Sequence, residues 1–161
     1  MFIFIYIVAI VLANMSVWYF GPAVTPINAF LLIGLDLSLR DKLHESIKTN
    51  KILYMSLIIC AAGLISYLLN PATGIIAVAS ALSFAIANIV DTVIYQFMNK
   101  NTYLIKSNGS NIGSSLVDSF MFPLIAFGAF LPYIVFMQFL AKVIGGFIWS
   151  LLINKLIKGV K

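Results

Sequence analysis

Residues 2–20 read FIFIYIVAIVLANMSVWYF, a run of apolar and uncharged polar residues without one charged side chain. A run of this length and composition can cross the hydrocarbon core of a bilayer, which is about 30 Å thick. The rest of the 161-residue chain has the same character, since 62% of all residues are hydrophobic, 9% are charged and the mean hydropathy is +1.07. Ordinary soluble chains carry about 25% charged residues. The sequence therefore predicts an integral membrane protein with a single transmembrane domain over residues 1–161.

Five further apolar segments follow the first one, and prolines, glycines or charged residues separate them. Together they predict an all-α bundle of six transmembrane helices, at residues 2–20, 26–40, 52–69, 73–98, 112–130 and 132–156. The polar stretch that holds Lys100, Lys106 and the segment from Ser107 to Ser110 is predicted to be a loop before the fifth helix.

The basic residues indicate how the chain is oriented in the membrane. Nine of the ten Lys and Arg residues lie in the loops after the second and fourth predicted helices and in the C-terminal tail. Basic residues next to the ends of spans favour the cytoplasmic side. We therefore predict a protein of the cytoplasmic (inner) membrane with both termini in the cytoplasm. The net charge of +5 fits this topology, and no nucleic-acid partner is expected.

Three ionisable side chains lie well inside predicted spans, and these are Asp91, Asp118 and Lys142, whereas Asp36 lies nearer the end of one. A charge at the centre of a bilayer costs about 2.5–3.5 kcal/mol on insertion scales, so such residues usually belong to a functional site. The alternative is an ion pair that only ties helices together. If Asp91, Asp118 and Lys142 share a cavity, two acids and one base leave it net negative, which a cation, a shared proton or a hydrogen-bond-donating ligand would relieve.

Helical spacing places amide side chains beside these charges. Asn88, Asn111 and Gln138 share helix faces with Asp91, Asp118 and Lys142, respectively. Amides, a carboxylate and aromatic rings on facing helices suit a flat polar heterocycle, because the rings stack on its faces and the polar groups bind its edge. Hydrogen bonding between helices is the alternative role for each amide.

Three segments carry a family resemblance: Pro26 to Glu45 (PINAFLLIGLDLSLRDKLHE), Ser110 to Ser119 (SNIGSSLVDS), and Lys142 with Gly145 and Gly146. They resemble the queuosine precursor transporter family, also called the vitamin uptake transporter (VUT) family, and Asn14, Asp36 and Arg40 look like its first polar positions. The resemblance implies import of a 7-deazaguanine such as preQ0 or preQ1, and a fold similar to the substrate-binding S-components of ECF vitamin transporters. With the residues placed by spacing, the candidate substrate-binding set is Asn14, Asp36, Asn88, Asp91, Asn111, Asp118, Gln138 and Lys142.

No cofactor is expected, and His44 has no second His or Cys nearby that would make a metal site. The chain has no GxxxxGK[ST] segment for ATP, so the energy for uptake must come from a gradient, a partner subunit or trapping of the substrate after entry. A homodimer is a further expectation about partners, besides the lipid bilayer itself.

Three other functions stay open at this stage. One is an S-component-like protein for another vitamin. Another is an intramembrane enzyme with two carboxylates that share a proton, although neither Asp91 nor Asp118 lies in a GxGD segment. The third is a structural or pore-forming protein, for which we would expect packed helices without a polar cavity.

Overall fold

The computed structural model describes residues 2–39 and 50–159, and within these ranges it contains helices and turns but no strand. Its six helices are α1 (Phe2–Phe20), α2 (Pro22–Leu39), α3 (Lys51–Leu69), α4 (Gly74–Phe97), α5 (Tyr103–Phe127) and α6 (Pro132–Gly159). The prediction of an all-α bundle of six helices is therefore confirmed. Arg40 and His44 lie outside the described residues.

Glycines in the left-handed region make two of the turns between helices. Gly21 follows α1 with φ of 69°, and Pro22 then starts α2 at once. Gly128 ends α5 with φ of 64°. An L-residue adopts such a φ only with strain, whereas glycine adopts it freely. These turns allow short connections from α1 to α2 and from α5 to α6.

Four of the six helices are long and apolar enough to cross a membrane: α1, α2, α4 with the turn before it, and α6 as far as Lys155. In α3, the uniformly apolar part is the shorter stretch Ser56–Leu69. The remaining helix, α5, is long enough but carries many polar residues. Its polar residues lie on one face and are buried between α4 and α6, so α5 remains part of the same membrane bundle.

The start of α5 corrects one sequence prediction. The polar residues before position 112 were expected to form a loop, but α5 begins at Tyr103 and includes them. Ser107, Ser110 and Asn111 are almost fully buried, because they face neighbouring helices and not water. The error came from equating polarity with exposure, a rule that fails in a membrane bundle, where polar side chains lie inside.

The helix contacts close into a ring. Going around it, α1 packs on α3, α3 on α4, α4 on α5, α5 on α6, α6 on α2, and α2 again on α1. Large apolar side chains cover the outside, as shown by Phe4, Leu68 and Phe136, which are more than half exposed. Serines, asparagines, aspartates and a lysine are buried inside. This distribution suits lipid outside the ring and polar groups toward its centre.

The contact between α2 and α6 depends on two facing glycines. A Cβ atom built on Gly34 would lie 2.7 Å from the Gly145 carbonyl carbon, and one built on Gly145 would overlap the Phe30 carbonyl oxygen. Phe30 belongs to a single π turn in α2, Ala29–Ile33. The backbones of α2 and α6 therefore touch beside a local irregularity of the kind that often marks functional sites.

Candidate substrate-binding cavity

A small cavity with mostly apolar walls and a few polar side chains lies among five of the six helices, with a volume of about 30 Å³. A space of this size holds one or two water molecules. The residues that line it are Ala13, Asn14 and Val17 of α1, Thr25, Asn28, Ala29 and Ile33 of α2, Ser80 and Phe84 of α4, Asp118 and Phe122 of α5, and Gln138 and Lys142 of α6.

A buried ion pair lies in the wall of this cavity. Lys142 Nζ is 2.7 Å from Asp118 Oδ2, and both side chains are no more than 5% exposed. The ammonium also donates to Ser119 Oγ at 3.1 Å and to Gln138 Oε1 at 3.3 Å. Since a lysine ammonium has three N–H groups, these three acceptors occupy all of them. Lys142 therefore holds Asp118 and Gln138 in place with its whole hydrogen-bonding capacity.

The lysine also fixes the orientation of the Gln138 amide. Because the amide oxygen accepts from Lys142, the amide nitrogen must lie on the other side, where it donates to Thr25 Oγ1 at 2.9 Å. The Thr25 hydroxyl in turn donates a hydrogen bond to the Pro22 carbonyl oxygen at 2.7 Å. This chain of hydrogen bonds couples the polar centre of α6 to the start of α2.

The two oxygens of Asp118 differ in their surroundings. Asp118 Oδ2 is paired with Lys142, whereas Oδ1 is buried and has no hydrogen-bond partner among the described residues. A buried acceptor without a partner is costly, about 1–3 kcal/mol and more for a charged group. The Asp118 carboxylate therefore presents a strong acceptor toward a group that donates hydrogen bonds.

Two asparagines join α1 to its neighbours around the cavity. Asn14 donates to Ser66 Oγ at 3.0 Å and accepts from Ser80 Oγ at 2.5 Å, so it links α1 with α3 and α4. Asn28 donates to the Ala13 carbonyl at 3.3 Å and to Ser16 Oγ at 2.6 Å. The amide nitrogen of Asn28 makes both of these hydrogen bonds, and its amide oxygen is left as an acceptor.

We expect Asn14→Ala to destabilise the bundle by about 1–3 kcal/mol, because two interhelical hydrogen bonds are lost and each is worth about 0.6–1.7 kcal/mol. Thermal unfolding of the purified protein in detergent measures the change. The matched control is Asn101→Ala in the exposed turn before α5, where the side chain is in solvent. Equal melting temperatures for the two variants would contradict a structural role for Asn14.

A second polar cluster lies between α4 and α5. Ser114 donates to Asp91 Oδ1 at 3.4 Å, and Asp91 is fully buried. Asn88, one turn before Asp91, is 3% exposed. On α5, Ser114 is one turn before Asp118, so the cluster continues the polar face that reaches the cavity. Asn111 lies one turn further along the same face, with its amide nitrogen close to Gly146 of α6.

The structure thus divides the eight predicted site residues into groups. Those that line the cavity are Asn14, Asp118, Gln138 and Lys142. Those in the second cluster are Asn88, Asp91 and Asn111, and Asp36 is buried in α2 outside the lining. The expected cavity with two acids and one base is therefore lined by one acid and one base.

Sequence reasoning missed part of the lining, namely Thr25, Asn28, Ser80 and Phe84, and also Ser119 beside it. Thr25 and Asn28 are one helical turn apart, and so are Ser80 and Phe84, which is the spacing of a shared face. That spacing was a usable signal. It was weak because hydroxyls and phenylalanines are common in membrane helices and carry no charge that would draw attention to them.

Comparison with known proteins gives one family match. The model of a family described as "putative vitamin uptake transporter" matches residues 69–156, which is more than half of the chain. The matched segment runs from the end of α3 into α6. It includes the residues of α4, α5 and α6 that line the cavity or belong to the second polar cluster. Searches of curated proteins and of solved structures found no match.

Proposed function

Since the chain belongs to the vitamin uptake transporter family, we propose that it imports a 7-deazaguanine precursor of queuosine, such as preQ0 or preQ1, through the central cavity. The observation that carries this proposal is the buried Asp118 carboxylate, which has one oxygen on Lys142 and the other without a partner among the described residues. The edge of a deazaguanine offers adjacent N–H groups, and a carboxylate is the side chain best suited to accept them.

The remaining lining supports a flat ligand. Phe84 and Phe122 border the cavity from α4 and α5, and aromatic faces stack on heterocyclic rings. Asn28 adds an amide oxygen from α2. Cavities that bind small molecules typically combine mostly apolar walls with a few placed polar groups of this kind.

The size of the cavity points to motion during transport. Ligand pockets typically enclose about 300 Å³ or more, whereas this cavity has about 30 Å³. A bicyclic ring enters only if helices or aromatic side chains around the cavity separate. We infer that the structure represents a closed state and that opening toward one side of the membrane at a time admits and releases the substrate.

Two further features complete the proposal. We place the chain in the cytoplasmic (inner) membrane with both termini on the cytoplasmic side, as the basic residues predict. We also assign no catalytic step to the chain. The carboxylate of Asp118 pairs with an ammonium, which differs from the acid pair of an aspartyl protease, in which two carboxylates share a proton. Asp36 and the Asn88–Asp91–Asn111 group lie outside the lining of the cavity, and their role in substrate binding stays a prediction.

Growth and tRNA modification test the proposed substrate. The chain is expressed in a strain that can neither make the precursor nor import it, and queuosine in tRNA is measured after addition of preQ0 or preQ1. We expect queuosine with the chain and none with the empty vector. Confirmed membrane expression without queuosine from either compound would reject the assignment. Uptake of a different vitamin in a parallel set of auxotrophic strains would then identify the S-component-like alternative.

A further inference from the structure

The cavity has no net charge when Asp118 is a carboxylate and Lys142 is an ammonium. Among the described residues that line it, only Asp118 and Lys142 carry ionisable side chains, and they neutralise each other at 2.7 Å. The other lining groups are amides, hydroxyls and apolar side chains. A ligand that enters therefore meets a site whose charge is already balanced within the protein.

The lysine offers nothing to an incoming ligand. Its three N–H groups are directed to Asp118, Ser119 and Gln138, and the side chain is 2% exposed. The strongest acceptor left is Asp118 Oδ1, which has no partner among the described residues, and the amide oxygen of Asn28 is left as well. The amide nitrogens of Asn14 and Gln138 each use one of their two N–H groups, so each keeps one neutral donor. The cavity thus offers a ligand one carboxylate oxygen and neutral amide groups, but no free cation.

From these two observations, and resting on the proposed function, we propose that the cavity selects the uncharged, hydrogen-bond-donating form of a 7-deazaguanine. It should prefer preQ0, whose side group is a neutral nitrile, over preQ1, whose aminomethyl group is an ammonium at neutral pH. A second ammonium would lie in the same enclosure as Lys142, and the described lining residues include no second carboxylate to balance it. An unbalanced charge in such a place is strongly disfavoured.

Lys142 is the residue that sets this preference. Lys142→Gln keeps a side chain that can hydrogen bond but leaves the Asp118 carboxylate without its cation. The site then has one negative charge to spare, which an ammonium-bearing ligand neutralises and a nitrile does not. A matched control is Lys155→Gln, the same chemical change at an exposed position near the end of α6.

Competition for uptake into proteoliposomes tests the inference. Radiolabelled preQ0 is displaced by unlabelled preQ0 or preQ1, and the ratio of the two inhibitory concentrations gives the preference. We expect at least a tenfold preference for preQ0 in the unmodified chain and in Lys155→Gln, and at least a tenfold shift toward preQ1 in Lys142→Gln. Equal inhibition by the two compounds, or a stronger effect of preQ1, in the unmodified chain would overturn the inference.

The unmodified chain decides the matter even if Lys142→Gln does not fold, which its melting curve would reveal. If Lys142→Gln folds and weakens both ligands by the same factor, Lys142 does not set the preference and the inference fails. If the unmodified chain transports neither compound, the proposed substrate itself is wrong, and that outcome is distinct from transport without preference.

Discussion

Asp118→Asn is expected to abolish uptake and to destabilise the bundle by about 3–5 kcal/mol, the typical result of removing one partner of a buried ion pair. The amide keeps the shape of the side chain but leaves Lys142 as a buried charge without its counter-ion. It also removes the negative charge from the Asp118 oxygen that has no partner among the described residues. Charged hydrogen bonds contribute about 1.5–3 kcal/mol, so the affinity for the substrate should fall by about 10- to 100-fold.

The double variant Asp118→Asn with Lys142→Gln separates these two effects. It restores the charge balance, so most of the lost stability should return, since replacing both partners of a buried pair is often close to neutral. Uptake should stay lost, because the acceptor for the ligand is still missing. Unfolding in detergent and uptake of labelled preQ0 are measured on the same preparations, and the two single variants complete a mutant cycle. If Asp118→Asn takes up substrate at nearly the level of the unmodified chain, the Asp118 carboxylate does not bind the substrate.

The sequence alone was sufficient to predict the helices, but not to predict which face of each helix points into the bundle. Uncharged runs such as residues 2–20 predict spans directly, because the length of an apolar run and the thickness of the bilayer are fixed quantities. Boundaries were poorer where local backbone geometry decides them. The second helix starts at Pro22, four residues earlier than predicted, because a 3-10 turn over Pro22–Val24 leads into it.

The pairing inside the bundle was beyond a single sequence. The sequence places Asp91, Asp118 and Lys142 well inside predicted spans, but it does not say which acid faces the lysine. In the structure, Lys142 forms an ion pair with Asp118, and Asp91 accepts a hydrogen bond from Ser114. The difference is a matter of how each helix is turned about its axis, which depends on contacts between distant segments and leaves no local signal.

The glycines at positions 145 and 146 illustrate the same limit, since they are adjacent and alike in sequence but differ in their surroundings. A Cβ atom on Gly145 would overlap the carbonyl oxygen of Phe30, whereas one on Gly146 would lie 3.5 Å from the Asn111 amide nitrogen, an ordinary contact distance. Both substitutions to alanine bring the same gain in helix propensity, about 1 kcal/mol. Any difference between the two variants therefore reports the contact with α2.

We expect Gly145→Ala to destabilise the protein by about 3 kcal/mol, at the upper end for overpacking, because the obstructing atom belongs to the backbone and cannot rotate away. Gly146→Ala should be neutral or slightly stabilising. Uptake should fall with Gly145→Ala as well, because the displaced segment of α2 carries Asn28 and Ala29 of the cavity wall. Thermal unfolding and uptake of both variants test this. If Gly145→Ala behaves like Gly146→Ala, then α2 can move away from α6 at little cost, and the close glycine contact does not hold the cavity in its closed form.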